Sequence, residues 1–251
     1  MSLSAILTEA YNFFRNHISQ LAAITFPLLL IQVMIQLWLG NEMLMQAQAE
    51  TPEFGGIHAA AMMVLLLLFS ILIAAVTVYL EVRSRGHDVS TAMVFKQSIQ
   101  FVPPLLLAGV FSGLAILTPV MLFAAFGPFG IVGFGISFYL FSRLAYVNFM
   151  VIVERLTPLE AIKASFIFTG PITVKTIAIL MLYLPLILIS GTLSQMAAQV
   201  GFPLQLITDT VFAFFGLFIN VALFRLYMVN RKIDAPTGDD AATDDDSHTE
   251  V

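Results

Sequence analysis

The sequence predicts an all-α integral membrane protein: six transmembrane helices, with short cytoplasmic amphipathic helices before spans one, three and five. Three observations carry this reading. First, 59% of the 251 residues are hydrophobic and 11% are charged, with a mean hydropathy of +0.93. A water-soluble domain is about 45–50% apolar and about 25% charged, so this chain lacks the polar surface to cover itself in water. Second, the apolar residues gather into runs near the ~20 residues that a hydrocarbon core of about 30 Å requires. Third, Lys and Arg cluster between alternate runs, on one side only.

The six spans fall at about 20–39, 58–80, 103–126, 131–153, 172–194 and 207–229. In lipid each backbone group must be satisfied within its own segment, so the spans are expected to be helical. Spans three and four lack a polar divider, because Arg143 is the only charge between Phe101 and Val153. As one helix that stretch would run ~80 Å at about 1.5 Å per residue. It must fold back, and Gly127-Pro128-Phe129-Gly130 supplies the turn. Pro103-Pro104 and Pro171 suit helix starts, whereas Pro27, Pro119 and Pro185 lie inside spans and are expected to kink them.

Orientation follows from the basic residues. With the N-terminus inside, Arg15, Arg83, Arg85, Lys96, Arg155, Lys163, Lys175, Arg231 and Lys232 all lie in the cytoplasm. The opposite loops, about 40–57, 127–130 and 195–206, hold no Lys or Arg. Both ends are therefore predicted to be cytoplasmic. The first span is too long for a cleaved signal core and is expected to be retained.

Three stretches resemble helices lying on the cytoplasmic face or extending the next span inward; pattern alone leaves both readings open. Leu3, Ile6, Leu7, Ala10, Phe14 and Ile18 form one stripe at helical spacing. The second helix begins at Asp88 and carries Val89, Ala92, Met93 and Ile99. The third opens with Thr157-Pro158-Leu159-Glu160, a capping box with Pro in the first turn. This order suggests three repeated units at about 3–80, 86–153 and 157–229, aligned on Glu9-Ala10, Thr91-Ala92 and Glu160-Ala161. Any even-numbered bundle also looks like repeated hairpins.

Residues 1–232 form the predicted membrane domain. Residues 233–251 hold seven acids and no Lys or Arg, against nine acids and eleven bases in the rest. With nothing large and apolar to bury, that tail is expected to be disordered and cytoplasmic. With no cysteine present, disulfides and thiol chemistry are excluded. His17, His58, His87 and His248 form no ligand-spaced pair. No cofactor is implied.

Tyr11-Asn12-Phe13-Phe14-Arg15-Asn16 and Leu223-Phe224-Arg225-Leu226-Tyr227-Met228 resemble the YciC family of bacterial inner-membrane proteins. Gly127-Pro128-Phe129-Gly130-Ile131, Glu154-Arg155 and Glu160-Ala161 add to the likeness, which covers most of residues 8–232. The resemblance implies a bacterial cytoplasmic-membrane protein and supplies no reaction.

Arg143 is the sharpest candidate for function. An arginine within a span costs about 2.5–3.5 kcal/mol on insertion scales. It is expected either to line a polar pocket open to the cytoplasmic leaflet, reached by Glu81, Glu154 or a lipid phosphate, or to snorkel. Arg225 can anchor at the inner surface, and Asp209 reads as an acid favoured by the dipole of the first turn of span six. Gly109 and Gly113 form a G-x-x-x-G in span three, a candidate for close helix packing. There is no G-x-S-x-G, H-E-x-x-H or P-loop, and no carboxylate pair in the spans. The expectation is a non-enzymatic membrane protein that supports envelope upkeep or organises membrane partners. The alternative is a carrier or binder of a lipid or small amphiphile around Arg143. The bilayer, with phospholipid as a candidate ligand, is the implied partner; nothing points to nucleic acid.

Overall fold

The computed structural model describes residues 1–48, 55–88, 90–127 and 130–234, and among them the chain forms eleven α-helices and no strand. They are α1 Leu3–Asn16, α2 Ile18–Gln48, α3 Gly56–Ser84, α4 Thr91–Ser98, α5 Val102–Ala124, α6 Gly130–Leu144, α7 Val147–Val153, α8 Pro158–Thr169, α9 Thr173–Leu180, α10 Tyr183–Val200 and α11 Phe202–Asp234. Six runs are long and apolar enough to cross a membrane: Ile18–Gln48, Gly56–Ser84, Thr91–Ala124, Gly130–Val153, Pro158–Val200 and Phe202–Arg231. Five of the six predicted spans lie inside them, and the third, predicted to 126, ends two residues earlier at Ala124. Of the acidic tail, residues 233 and 234 end α11 and residues 235–251 lie outside the described residues, as do Pro128 and Phe129 of the predicted turn; Gly127 enters that turn at φ 62°.

A short helix followed by two long segments occurs three times in order. The short helices share a register that the sequence alignment on Glu9, Thr91 and Glu160 missed. Each begins after a hydroxyl residue: Ser2 Oγ accepts from Ala5 N (3.2 Å), and Ser90 Oγ accepts from Met93 N (3.3 Å). Thr157 N and Oγ1 both donate to Glu160 Oε2, at 3.0 and 2.7 Å. At one-turn intervals after each hydroxyl come buried residues: Ile6, Ala10 and Phe14; Val94, Ser98 and Val102; Ala161, Ser165 and Thr169. Helical spacing of four keeps each set on one face. The predicted stripe of the second helix is therefore corrected: Met93 and Ile99 are exposed, Val94 and Ser98 are buried, and the helix starts at Thr91. Val89 lies outside the described residues. Of the stripe predicted for α1, Ile6, Ala10 and Phe14 are buried against protein and Leu3 and Leu7 are half-buried, whereas Ile18 is exposed and opens α2; Phe14 meets Phe214 and Phe218 of α11 at 5.5 and 6.1 Å between ring centroids.

Prolines act as position dictates. Pro27 and Pro119 sit inside unbroken helices. Before Pro185 the chain breaks at Met181 and Leu182, separating α9 from α10; a proline ring clashes with the carbonyl four residues earlier, here Met181. A second break at Ala145 and Tyr146 separates α6 from α7.

Burial is uneven along the bundle. At the end that carries both Arg85 and Arg231, Leu72–Leu80 of α3, most of α7 and Ile219–Tyr227 of α11 form a dense core. Its centre is aromatic: Tyr146 and Phe168 lie 5.1 Å apart, Phe168 and Tyr227 5.3 Å, and Phe149 and Phe224 5.4 Å. Toward the opposite end the helices splay, and the space between them holds the cavities described next. There Gly201, at φ 151°, makes the one-residue turn from α10 to α11, a conformation that suits glycine.

Candidate functional site

Arg143 occupies the last turn of α6 and is bound to α8. Its Nη2 donates to Phe166 O at 2.5 Å and its Nη1 to Thr173 Oγ1 at 3.4 Å. Its guanidinium also lies 5.3 Å from the Phe166 ring centroid and 5.8 Å from that of Tyr139. In return, Ser165 and Thr169 hydroxyls donate to Arg143 O at 2.7 and 3.1 Å. Phe166 is among the last residues of α8, whose carbonyls have no partner within the helix. A cation there is favoured by the helix dipole. Arg143 thus clamps the C-terminus of α8, while the hydroxyls of α8 hold its own carbonyl at the break in the chain.

The expected companions are elsewhere. Glu81 pairs with Arg85 at 2.6 Å. Glu154 accepts from the Tyr227 hydroxyl and stands 3.5 Å from Arg231 Nε. Among the described residues no carboxylate lies within ion-pair distance of Arg143. Neither Glu81 nor Glu154 pairs with Arg143, whose guanidinium is taken by carbonyl and hydroxyl oxygens of α8 and α9. Arg225 meets Glu9 at 2.5 Å.

Gly109 and Gly113 are not a tight seam. A Cβ on Gly109 would come no nearer than 3.8 Å to Leu66 Cδ1, and one on Gly113 would meet nothing within 4 Å. The close approach is at Gly133, where a Cβ would stand 2.6 Å from Pro119 O and 2.7 Å from Phe123 Cβ. Gly109 and Gly113 instead line a cavity.

Three cavities run in series from the splayed end inward. The outermost, about 970 Å³, lies between α2, α10 and α11 and includes Gln36, Asn41 and Gln205. Gln36 also lines the second, about 460 Å³, together with Gln32, Ser190, Asp209, Tyr183 and Asn220. Tyr183 and Asn220 in turn line the third, about 290 Å³, with Ser70, Ser112, Asn148, Gly109 and Gly113. Tyr183 and Asn220 border both of the inner two, so this pair stands between them. Tyr183 is the first residue of α10, so the break forced by Pro185 sets the partition in place.

The central cavity is the most polar in its chemistry. Asp209 Oδ2 accepts from Ser194 Oγ at 3.0 Å, and Gln205 Nε2 stands 3.4 Å from the same Ser194 Oγ. Gln32 Oε1 is buried without a hydrogen-bond partner, as is Ser112 Oγ in the inner cavity. Around these groups the walls are apolar, among them Leu29, Phe69, Leu72 and Phe212. Because α11 begins at Phe202, Asp209 lies beyond its first turn; the dipole reading of this acid does not apply. Sequence reasoning weighed the charged residues of the spans and passed over their amides. The signal was present: Gln32, Gln36, Asn148 and Asn220 are uncharged polar residues within predicted apolar spans.

No family model matches this sequence, and neither a curated protein nor a solved structure gives a match.

Proposed function

We propose that the chain is a non-enzymatic, multi-pass protein of a bacterial cytoplasmic membrane that binds and carries a small amphiphile. The cavity chain supports this reading. Three linked spaces, each mostly apolar with a few convergent amides and hydroxyls, have the size and lining of small-molecule sites. A broken helix beside the polar groups is a feature of carriers. Apart from Tyr183, Asp209 is the one ionisable residue of the central cavity, which offers no acid–base pair for catalysis. In this reading the densely packed end faces the cytoplasm with both termini, as the one-sided basic residues imply, and α1, α4 and α8 lie at that face. The resemblance to the YciC family accords with such a protein.

The test is retention of a ligand. Protein purified in mild detergent should carry an amphiphile identifiable by mass spectrometry. Gly216→Leu adds a side chain beside Tyr183 Cε1 and Leu186 Cδ2, each within 3.8 Å of a Cβ there, and should empty the central cavity while preserving a monodisperse protein. Equal retention by that variant, or no ligand in either protein, would sink the proposal.

A further inference from the structure

We infer that the central cavity selects an amphiphile with a cationic, hydrogen-bond-donating head, such as a protonated amine, and that Asp209 receives it. The inference rests on the carrier reading above and gives it a ligand class.

The argument is an inventory of which groups are still open. Asp209 uses Oδ2 on Ser194, and among the described residues its Oδ1 has no partner. Ser190 has spent its one proton on Ile187 O at 3.1 Å, and Ser194 has spent its own on Asp209. Both serines are left with lone pairs only. Asp209 is therefore left with one carboxylate oxygen without a partner, in a cavity whose Gln32, Gln36 and Asn220 amides can both donate and accept. Among the described residues no Lys, Arg or His lines the cavity to balance the charge of Asp209. An acceptor left unpaired in apolar surroundings is costly, and a carboxylate more so. A ligand that brings N–H donors and a positive charge relieves both at once.

The walls narrow the class further. Phe69, Phe212 and Tyr183 line the same space, and aromatic faces attract an organic cation. A bare metal ion fits poorly: hard cations take six or more oxygens in a tight shell, and among the described residues no three metal-ligating side chains come together. An anionic head would face Asp209 across a site without a cation. The apolar remainder of a cavity of about 460 Å³ suits a short hydrocarbon tail.

Octylammonium, octanol and octyl phosphate share one tail and differ in the head. Each would be titrated into the purified full-length protein by calorimetry at neutral pH. Octylammonium should bind about tenfold tighter than octanol, and octyl phosphate should bind least. Asp209→Asn keeps the size of the side chain and an oxygen for Ser194 but removes the charge; it should bring octylammonium down to the affinity of octanol. If octanol or octyl phosphate binds as well as octylammonium, the cation preference is wrong while the carrier reading stands. If none of the three binds, both fail. The ranking on the unmodified protein decides the matter even if Asp209→Asn does not fold.

Discussion

Arg143 is held by carbonyl and hydroxyl oxygens, and this changes what its removal should do. Arg143→Leu takes away the donors to Phe166 O and Thr173 Oγ1 and leaves an orphan carbonyl of α8 in apolar surroundings. Hydrogen bonds to charged groups contribute about 1.5–3 kcal/mol, so a loss of about that size in unfolding free energy is expected. Arg143→Lys restores the charge without the planar fork and should recover part of it. Denaturation of the purified variants in detergent would check both; an unchanged Arg143→Leu would remove the clamp from the account. The sequence made Arg143 conspicuous but could not name its partner, because a carbonyl has no residue-type signature. Glycine is the complementary case. The G-x-x-x-G at Gly109 and Gly113 is visible as a motif yet borders open space, whereas Gly133 sits against Pro119 O with nothing in its spacing to mark it. Gly113→Ala should therefore be tolerated, and Gly133→Ala should destabilise by about 1–3 kcal/mol as an overpacked contact. Equal effects in the two variants would contradict the packing described.

At the scale of elements, hydrophobic length and proline position were legible, and breaks without a proline were not. Each predicted span matches a helical run to within two residues, and Pro185 marks the break at Met181 and Leu182. The break at Ala145 and Tyr146 has no such signal; it coincides with the capture of Arg143 O by Ser165 and Thr169, a tertiary event. The capping box at Thr157 and Glu160 was readable because both partners lie within four residues. The register of the three short helices emerged only from burial, since serine and threonine take the core positions that valine and isoleucine fill elsewhere. Pro185→Ala removes the clash with Met181 O and should let α9 and α10 approach one continuous helix. That would move Tyr183 away from Asn220 and open the partition between the two inner cavities. The expected outcome is thermal stability at or above that of the unmodified protein, with weaker retention of the amphiphile. Retention unchanged at equal stability would show that the break has no part in the site.

For the whole molecule, the topology proposed here makes a direct forecast. Reporters fused after Arg85, Lys163 and Arg231 should be cytoplasmic, and those near Glu50, Gly127 and Gln199 periplasmic; a periplasmic signal at Arg231 would overturn the six-span arrangement. The order of synthesis adds a constraint of its own. Arg143 and the carbonyl that it clamps are 23 residues apart. At about 5–20 residues per second, the arginine leaves the ribosome roughly one to five seconds before Phe166 does. Through that interval α6 has no α8 to hold its charged end, and a guanidinium in hydrocarbon is costly. In the proposed topology the second hairpin would therefore wait at the membrane surface, or in the insertion machinery, until α8 emerges, and the nascent chain would commit its fourth and fifth spans together.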